Sequence, residues 1–434
     1  MGIWDVIILV ASFVLLIAIG VPIAFSIGIS SLLTMFVSII PIPALTTMAE
    51  RMAAGLDSFT LLAIPFFILA GILMNRGGIA GKLIDFAKAW VGMFPGGLAY
   101  VNIIAAMLFG AVSGSAVAAA SGIGGFMIPR MEKEGYSKPF SAAVNITAAT
   151  TGLIIPPSNI LIVYSLASGG VSIGALFLAG YIPGIVVGLS LMIVAGVFAY
   201  MHKYPVGDRP SLKYITLKFL DAIPSLFMII LVIGGIVAGI FTATEASAVA
   251  VVYTLILSMV FYKQIKISDL PGILTETVLT TAIVMLLIGA SMGMSWIMSY
   301  ERIPQTVSAA LLSISHSKII VLLIINAILL FVGMFMDMTP AVLIFTPIFL
   351  PIVTQFGISP IQFGIIMVLN LCIGLCTPPV GSVLFVGCGV ANISISKVVK
   401  PLMPLFMAMI VSLLIITYVP QLSLWLPHFF GFGG

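Results

Sequence analysis

Gly152-Leu-Ile-Ile-Pro-Pro-Ser158 and Gly374-Leu-Cys-Thr-Pro-Pro-Val380 share the pattern G-L-x-x-P-P, and each copy lies inside a long apolar segment. Proline has no N–H to donate and its ring clashes with the preceding turn, so a glycine followed by a proline pair stops an α-helix. Each copy therefore predicts a helix broken in mid-membrane. Unwound backbone survives in a bilayer only where protein buries it or water lines it. There, freed carbonyls coordinate a cation and half-helix N-termini face an anion. A matched pair of breaks predicts a secondary transporter.

Composition points the same way. The chain has 434 residues, 62% hydrophobic and 7% charged, with a mean hydropathy of +1.32. A soluble domain carries about 25% charge, so a polytopic membrane protein surrounded by lipid is expected. The net charge of +4 is spread over loops, which argues against nucleic acid as a partner. The N-terminus is apolar from Ile3 without a basic leader, and reads as a retained span. Cys372, Cys376 and Cys388 stand in apolar context, and His202, His316 and His428 are scattered, a pattern that is no transition-metal signature.

A span needs about 20 apolar residues. Spans are predicted at 4–20, 21–40, 59–75, 174–201, 219–240, 242–262, 273–298 and 398–419, with a more polar interfacial stretch at 44–58. Broken helices are predicted at about 139–168 and 361–391. Two apolar legs, 98–109 and 116–128, flank Gly-Ala-Val-Ser-Gly-Ser at 110–115 and are short for crossing. They read as a re-entrant hairpin with its tip inside the membrane. Legs at about 318–335 and 338–352 form a second hairpin around Gly333 to Pro340, with Asp337 at the tip. The expected fold is all-α, with about ten transmembrane helices and two re-entrant hairpins.

The second half replays the first. Gly152 and Gly374 stand 222 positions apart, and the same shift carries the first hairpin tip onto Asp337. The predicted units are a scaffold (1–90 and 219–305), a mobile transport unit (91–201 and 306–434) and a linker at 202–218. Crossing the breaks once and returning at each hairpin puts the basic loops at 76–88, 130–138, 202–218, 263–266 and 392–400 on one face. The positive-inside rule makes that face cytoplasmic. The N-terminus is then outside and the halves are inverted, as alternating access requires.

Several stretches resemble the large membrane subunit of TRAP (tripartite ATP-independent periplasmic) transporters. They are Ser113-Gly-Ser115, the Gly-Leu-Ile-Ile-Pro-Pro run, Phe-Thr-Ala-Thr-Glu-Ala at 241–246, Met-Asp-Met-Thr-Pro at 336–340 and Gly-Leu-Cys-Thr-Pro-Pro-Val-Gly at 374–381. The likeness covers nearly the whole chain. It implies sodium-driven, elevator-type import of organic anions, such as C4-dicarboxylates, sialic acid or sugar acids, across the bacterial inner membrane. It also implies a small membrane subunit and a periplasmic substrate-binding protein as partners; neither is seen fused to this chain. Many relatives carry an acidic residue four places after the first Ser-Gly-Ser, where this chain has Ala119.

Sodium needs several oxygens in place of its water, and unwound carbonyls with Ser and Thr hydroxyls supply them. The first expected site joins Ser113 and Ser115 to Gly152, Ile155 and Pro156. The second joins Gly333 to Gly374, Thr377 and Val380. Apart from Ser and Thr, these residues act through backbone carbonyls; the bland alternative is close packing at Gly and a kink at Pro. Ser158, Asn159 and Ser382, in the first turns beyond the breaks, are the substrate-contact candidates, because a helix N-terminus offers donors to an anion. Asp337 is expected to orient its hairpin tip, and Glu245, with Thr242, to cap a helix. Glu301 and Arg302 fall on the outer face, where a partner could dock. The rival readings are a stand-alone ion-coupled carboxylate carrier or exchanger, and a channel. An enzyme is disfavoured, because no nucleophile–base pair or cofactor motif is present.

Overall fold

The computed structural model describes residues 3–206 and 210–432; Asp208 and Arg209 of the expected linker lie outside the described residues. The first half holds α1 (Ile3–Ala18), α2 (Ile23–Ser38), α3 (Pro41–Leu56), α4 (Ala63–Arg76), α5 (Ile79–Val91), α6 (Gly97–Ser113), α7 (Ala116–Lys133), α8 (Lys138–Thr151), α9 (Asn159–Ala167) and α10 (Ile173–Met201). The second half holds α11 (Leu212–Val237), α12 (Ala243–Ile256), α13 (Leu270–Tyr300), α14 (Ile303–Ile314), α15 (Lys318–Phe335), α16 (Met338–Gln355), α17 (Pro360–Leu375), α18 (Ser382–Ala391), α19 (Ile395–Tyr418) and α20 (Gln421–Phe429). Among the described residues, eight helices are long and apolar enough to cross a membrane, and shorter apolar helices, α1 and α2 among them, accompany them.

Both proline pairs interrupt helices where the sequence places them. α8 stops at Thr151 and α9 starts at Asn159; α17 stops at Leu375 and α18 starts at Ser382. In each break the bond between the two prolines is cis. α8 and α17 form the centre of the bundle: 140–151 and 362–375 are buried throughout. Such all-round burial demands that polar side chains find partners. Thr147 and Thr151 turn back to carbonyls of their own helix, and Asn145 Nδ2 donates to the Ala120 carbonyl at 2.8 Å.

The hairpins interlock with the breaks. α6 and α7 clasp α8, while α15 and α16 flank α17. The return leg of each hairpin also packs on the half-helix after the other break: α7 on α18, and α16 on α9. Glycines set the closest crossings. A Cβ on Gly152 would stand 2.6 Å from Gly110 Cα, and one on Gly374 would stand 2.6 Å from Gly333 Cα. At the seam between α10 and α19, Ser412 Oγ lies 3.0 Å from Ser190 Oγ, a pair also separated by 222 positions.

Two boundaries differ from the sequence reading. The legs of the first hairpin are longer than 98–109 and 116–128, because α6 runs on through Ser113 and α7 runs on through its basic turn to Lys133. Small residues at 110–113 keep helical geometry, and only Gly114, at φ +61°, turns the chain. The linker read as 202–218 yields its last residues to α11, whose N-cap Ser211 accepts from the Tyr214 N–H.

Candidate functional site

A cavity of about 290 Å³ lies where the hairpin tips, the helix starts beyond both breaks and the face of α4 and α13 converge. Ser113, Gly114 and Ser115 enter from the first hairpin, and Asp337, Met338 and Thr339 from the second. Asn159 and Ser382 enter from the first turns of α9 and α18. Asn159 and Ser382, 223 positions apart in sequence, thus line one chamber.

Local chemistry builds each tip. Ser115 caps α7 by accepting from the Ala118 N–H at 3.2 Å. Asp337 caps α16 through Oδ1, which accepts from the Met338 N–H at 2.9 Å. The first tip is wedged: a Cβ on Gly71 of α4 would stand 2.9 Å from Ser113 Cα, and one on Gly114 would stand 2.6 Å from Asn159 Nδ2.

The two breaks differ in what they leave open. In the first, the carbonyls of Gly152, Ile155 and Pro156 accept no backbone N–H among the described residues. α10 lies against this break, with Gly184 facing the Ile155 side chain and Gly180 facing the Ile154 carbonyl. In the second, the Gly374 carbonyl accepts from the Thr377 N–H at 2.9 Å, and the Thr377 carbonyl accepts from the Gly381 N–H at 3.1 Å. Thr377 Oγ1 donates to the Ile373 carbonyl at 2.7 Å, and Val380 is exposed. A carbonyl has a second lone pair, so these oxygens keep the capacity to meet a cation.

Not every candidate reaches the chamber. Ser158 is fully buried behind it, and its hydroxyl donates to the Leu153 carbonyl at 2.5 Å, bracing the break from within. Glu245 does not line it either: Oε2 accepts from the Thr242 N–H and hydroxyl, each at 2.8 Å, and completes a capping box on α12. Ala119 is fully buried and is not among the residues lining the chamber.

Sequence reasoning passed over Asn75, Glu276 and Thr280, which line the wall formed by α4 and α13. Glu276 pairs with Arg76, each about half exposed. The signal was present, since an ionisable residue within an apolar span is by default a functional candidate.

A bundle of membrane-length helices, with two snapped helices and two hairpin tips converging on one largely apolar chamber that holds a few polar groups, belongs to the membrane transporters. A family profile described as "Tripartite ATP-independent periplasmic transporter, DctM component" matches residues 10–422. The chain belongs to this family, as a large permease component of TRAP transporters, and is not an enzyme. It is 56% identical to the uncharacterized protein YgiK of Salmonella typhimurium, over 99% of this chain and 98% of that one. It is 39% identical to the C4-dicarboxylate TRAP transporter large permease protein DctM of Pseudomonas aeruginosa, over 94% of each. The crystal structure of the Alcanivorax borkumensis YdaH transporter shares the fold, with a TM-score of 0.64 over 91% of this chain and 90% of that one, at 13% identity.

Proposed function

We propose that the chain is the sodium-coupled import permease for an organic anion, a carboxylate or sugar acid, at the bacterial inner membrane. It takes its substrate from a periplasmic binding protein and works beside a small membrane subunit. One observation carries this reading: both hairpin tips and both post-break helix starts meet in a single chamber against the α4–α13 wall. Asn159 and Ser382 are the substrate contacts, where helix N-termini favour an anion. Sodium binds at Ser113 and Ser115 with the Gly152, Ile155 and Pro156 carbonyls, and at Gly333, Gly374, Thr377 and Val380. The open carbonyls of the first break favour that site as the stronger one.

In this reading the halves are inverted repeats, the N-terminus is periplasmic and the hairpins are re-entrant. The recurrence of the 222-residue offset at the Ser190–Ser412 contact supports the repeat, because equivalent residues touch only beside a two-fold axis. The transport unit (91–201 and 306–434) slides against the scaffold (1–90 and 219–305) as an elevator. The cavity includes Asn75 and Glu276, beside the basic loops, so this state faces the cytoplasm.

The test is uptake into liposomes by the purified permease with its membrane partner, with and without sodium and the binding protein. Uptake should require both. The Ser113→Ala and Thr377→Val variants should raise the sodium concentration for half-maximal uptake. Uptake that persists without any binding protein would favour a stand-alone carrier, and unsaturable flux would favour a channel.

A further inference from the structure

We propose that Glu276, held by Arg76, is a specificity-determining residue of the transport site: it reads the far end of the bound acid as a hydrogen-bond donor and turns away a second carboxylate. This rests on the transport reading above and sharpens it.

Glu276, Thr280 and Val284 recur at four-residue spacing on α13 and line the chamber as one stripe. Opposite them lie Asn159 and Ser382, at the starts of α9 and α18. A single carboxylate therefore has one favoured end, toward the helix N-termini, where free N–H groups and the positive end of the dipole lie. The other end of the acid meets the α4–α13 wall.

Glu276 gives that wall an acceptor, and Asp337 gives the chamber another from the second hairpin tip. Among the described residues, no Lys, Arg or His lines the chamber, whereas the carboxylates of Glu276 and Asp337 do. Arg76 is engaged by Glu276 Oε2 and stands outside the lining. Glu276 Oε1 has no partner among the described residues, and only Oδ1 of Asp337 is engaged. An ionised carboxylate is acceptor-only. A hydroxyl at the far end of the acid would satisfy Glu276 Oε1, while a second carboxylate would face that oxygen with like charge; the Asn75 amide on the same wall can serve either end group and does not discriminate. The volume of about 290 Å³ sits at the low end for ligand pockets and suits a small acid. Because Glu276 is on the scaffold, it contacts substrate only while the mobile unit stands at this level.

The experiment uses matched acids that differ only at the far end: threonate against tartrate, and gluconate against glucarate. Dissociation constants are measured from the sodium-dependent thermal stabilisation of the purified full chain. Each monoacid should bind about ten-fold tighter than its diacid, or more. E276Q removes the repelling charge and frees Arg76, so the ratio should fall toward one, with the diacid gaining. Thr280→Val should weaken the monoacid without helping the diacid. Diacids that bind as tightly as monoacids to the unaltered chain, or a ratio unmoved in E276Q, would overturn the assignment. If no acid gives a sodium-dependent response, the transport reading itself fails and takes this one with it.

Discussion

At the residue scale, the molecule turns on glycines that let backbone touch backbone. An added Cβ at Gly374 would lie 2.5 Å from the Gly333 carbonyl carbon, and backbone cannot step aside as a flexible side chain does. Gly374→Ala should therefore cost about 1–3 kcal/mol, the usual range for overpacking, read as a lower unfolding midpoint in detergent and lost uptake. Gly389→Ala, with nothing within 4 Å and an ordinary φ, should be nearly neutral in both measurements; equal effects would remove the crossing as the cause. The prolines were legible in the sequence because their effect is local: no N–H, no continued helix. Gly71 and Gly110 were not, since their importance comes from Ser113 and Gly152, distant in sequence and adjacent only after packing. Ser158 shows the same limit from the other side. Its position after the proline pair pointed to the chamber, but the hydroxyl turns inward to Leu153.

At the element scale, caps and helix lengths decide which segments are structural and which face the chamber. Thr242 and Glu245 satisfy the first turn of α12 reciprocally and are not among the residues lining the cavity. Thr242→Ala should destabilise the protein by about 1 kcal/mol while leaving the sodium concentration for half-maximal uptake unchanged. A shifted sodium requirement would instead draw this cap into the transport cycle. Asp337 is also an N-cap, yet its helix starts at the cavity wall. Asp337→Asn keeps an acceptor for the Met338 N–H, so it should fold normally and change uptake rather than stability; the comparison of uptake with the unfolding midpoint checks this. Hydropathy located the long apolar helices, missed the shorter α5, α14 and α20, and fixed helix ends poorly. The extra turns of α6 and α7 are Gly-Ala-Val-Ser at 110–113 on one side and Pro129 to Lys133 on the other, residues whose helicity is set by packing and by the membrane surface rather than by an apolar run.

At the scale of the whole molecule, the interlocking of the halves makes the proposed mobile unit one body. α7 holds α18 and α16 holds α9, so neither hairpin is free to move with its own half alone. The wall of the proposed scaffold is different: α4 and α13 meet the chamber through Asn75, Glu276 and Thr280, and meet the first tip at Gly71. A sliding unit changes the depth of its own residues and leaves those of the wall in place. Asn75 and Ser382 line the same cavity from these two bodies, so they separate sliding from local gating. After replacement of Cys372, Cys376 and Cys388 by serine, Asn75→Cys and Ser382→Cys variants are probed with a membrane-impermeant thiol reagent from each side of the membrane. Asn75→Cys should be reached from the cytoplasmic face only, whatever the conditions. Ser382→Cys should be reached from the cytoplasmic face in this state and from the periplasmic face when sodium and the binding protein drive the unit outward. If both keep one sidedness throughout, the chamber opens and closes by movement of the tips alone, and the elevator assignment fails while the chamber itself stands.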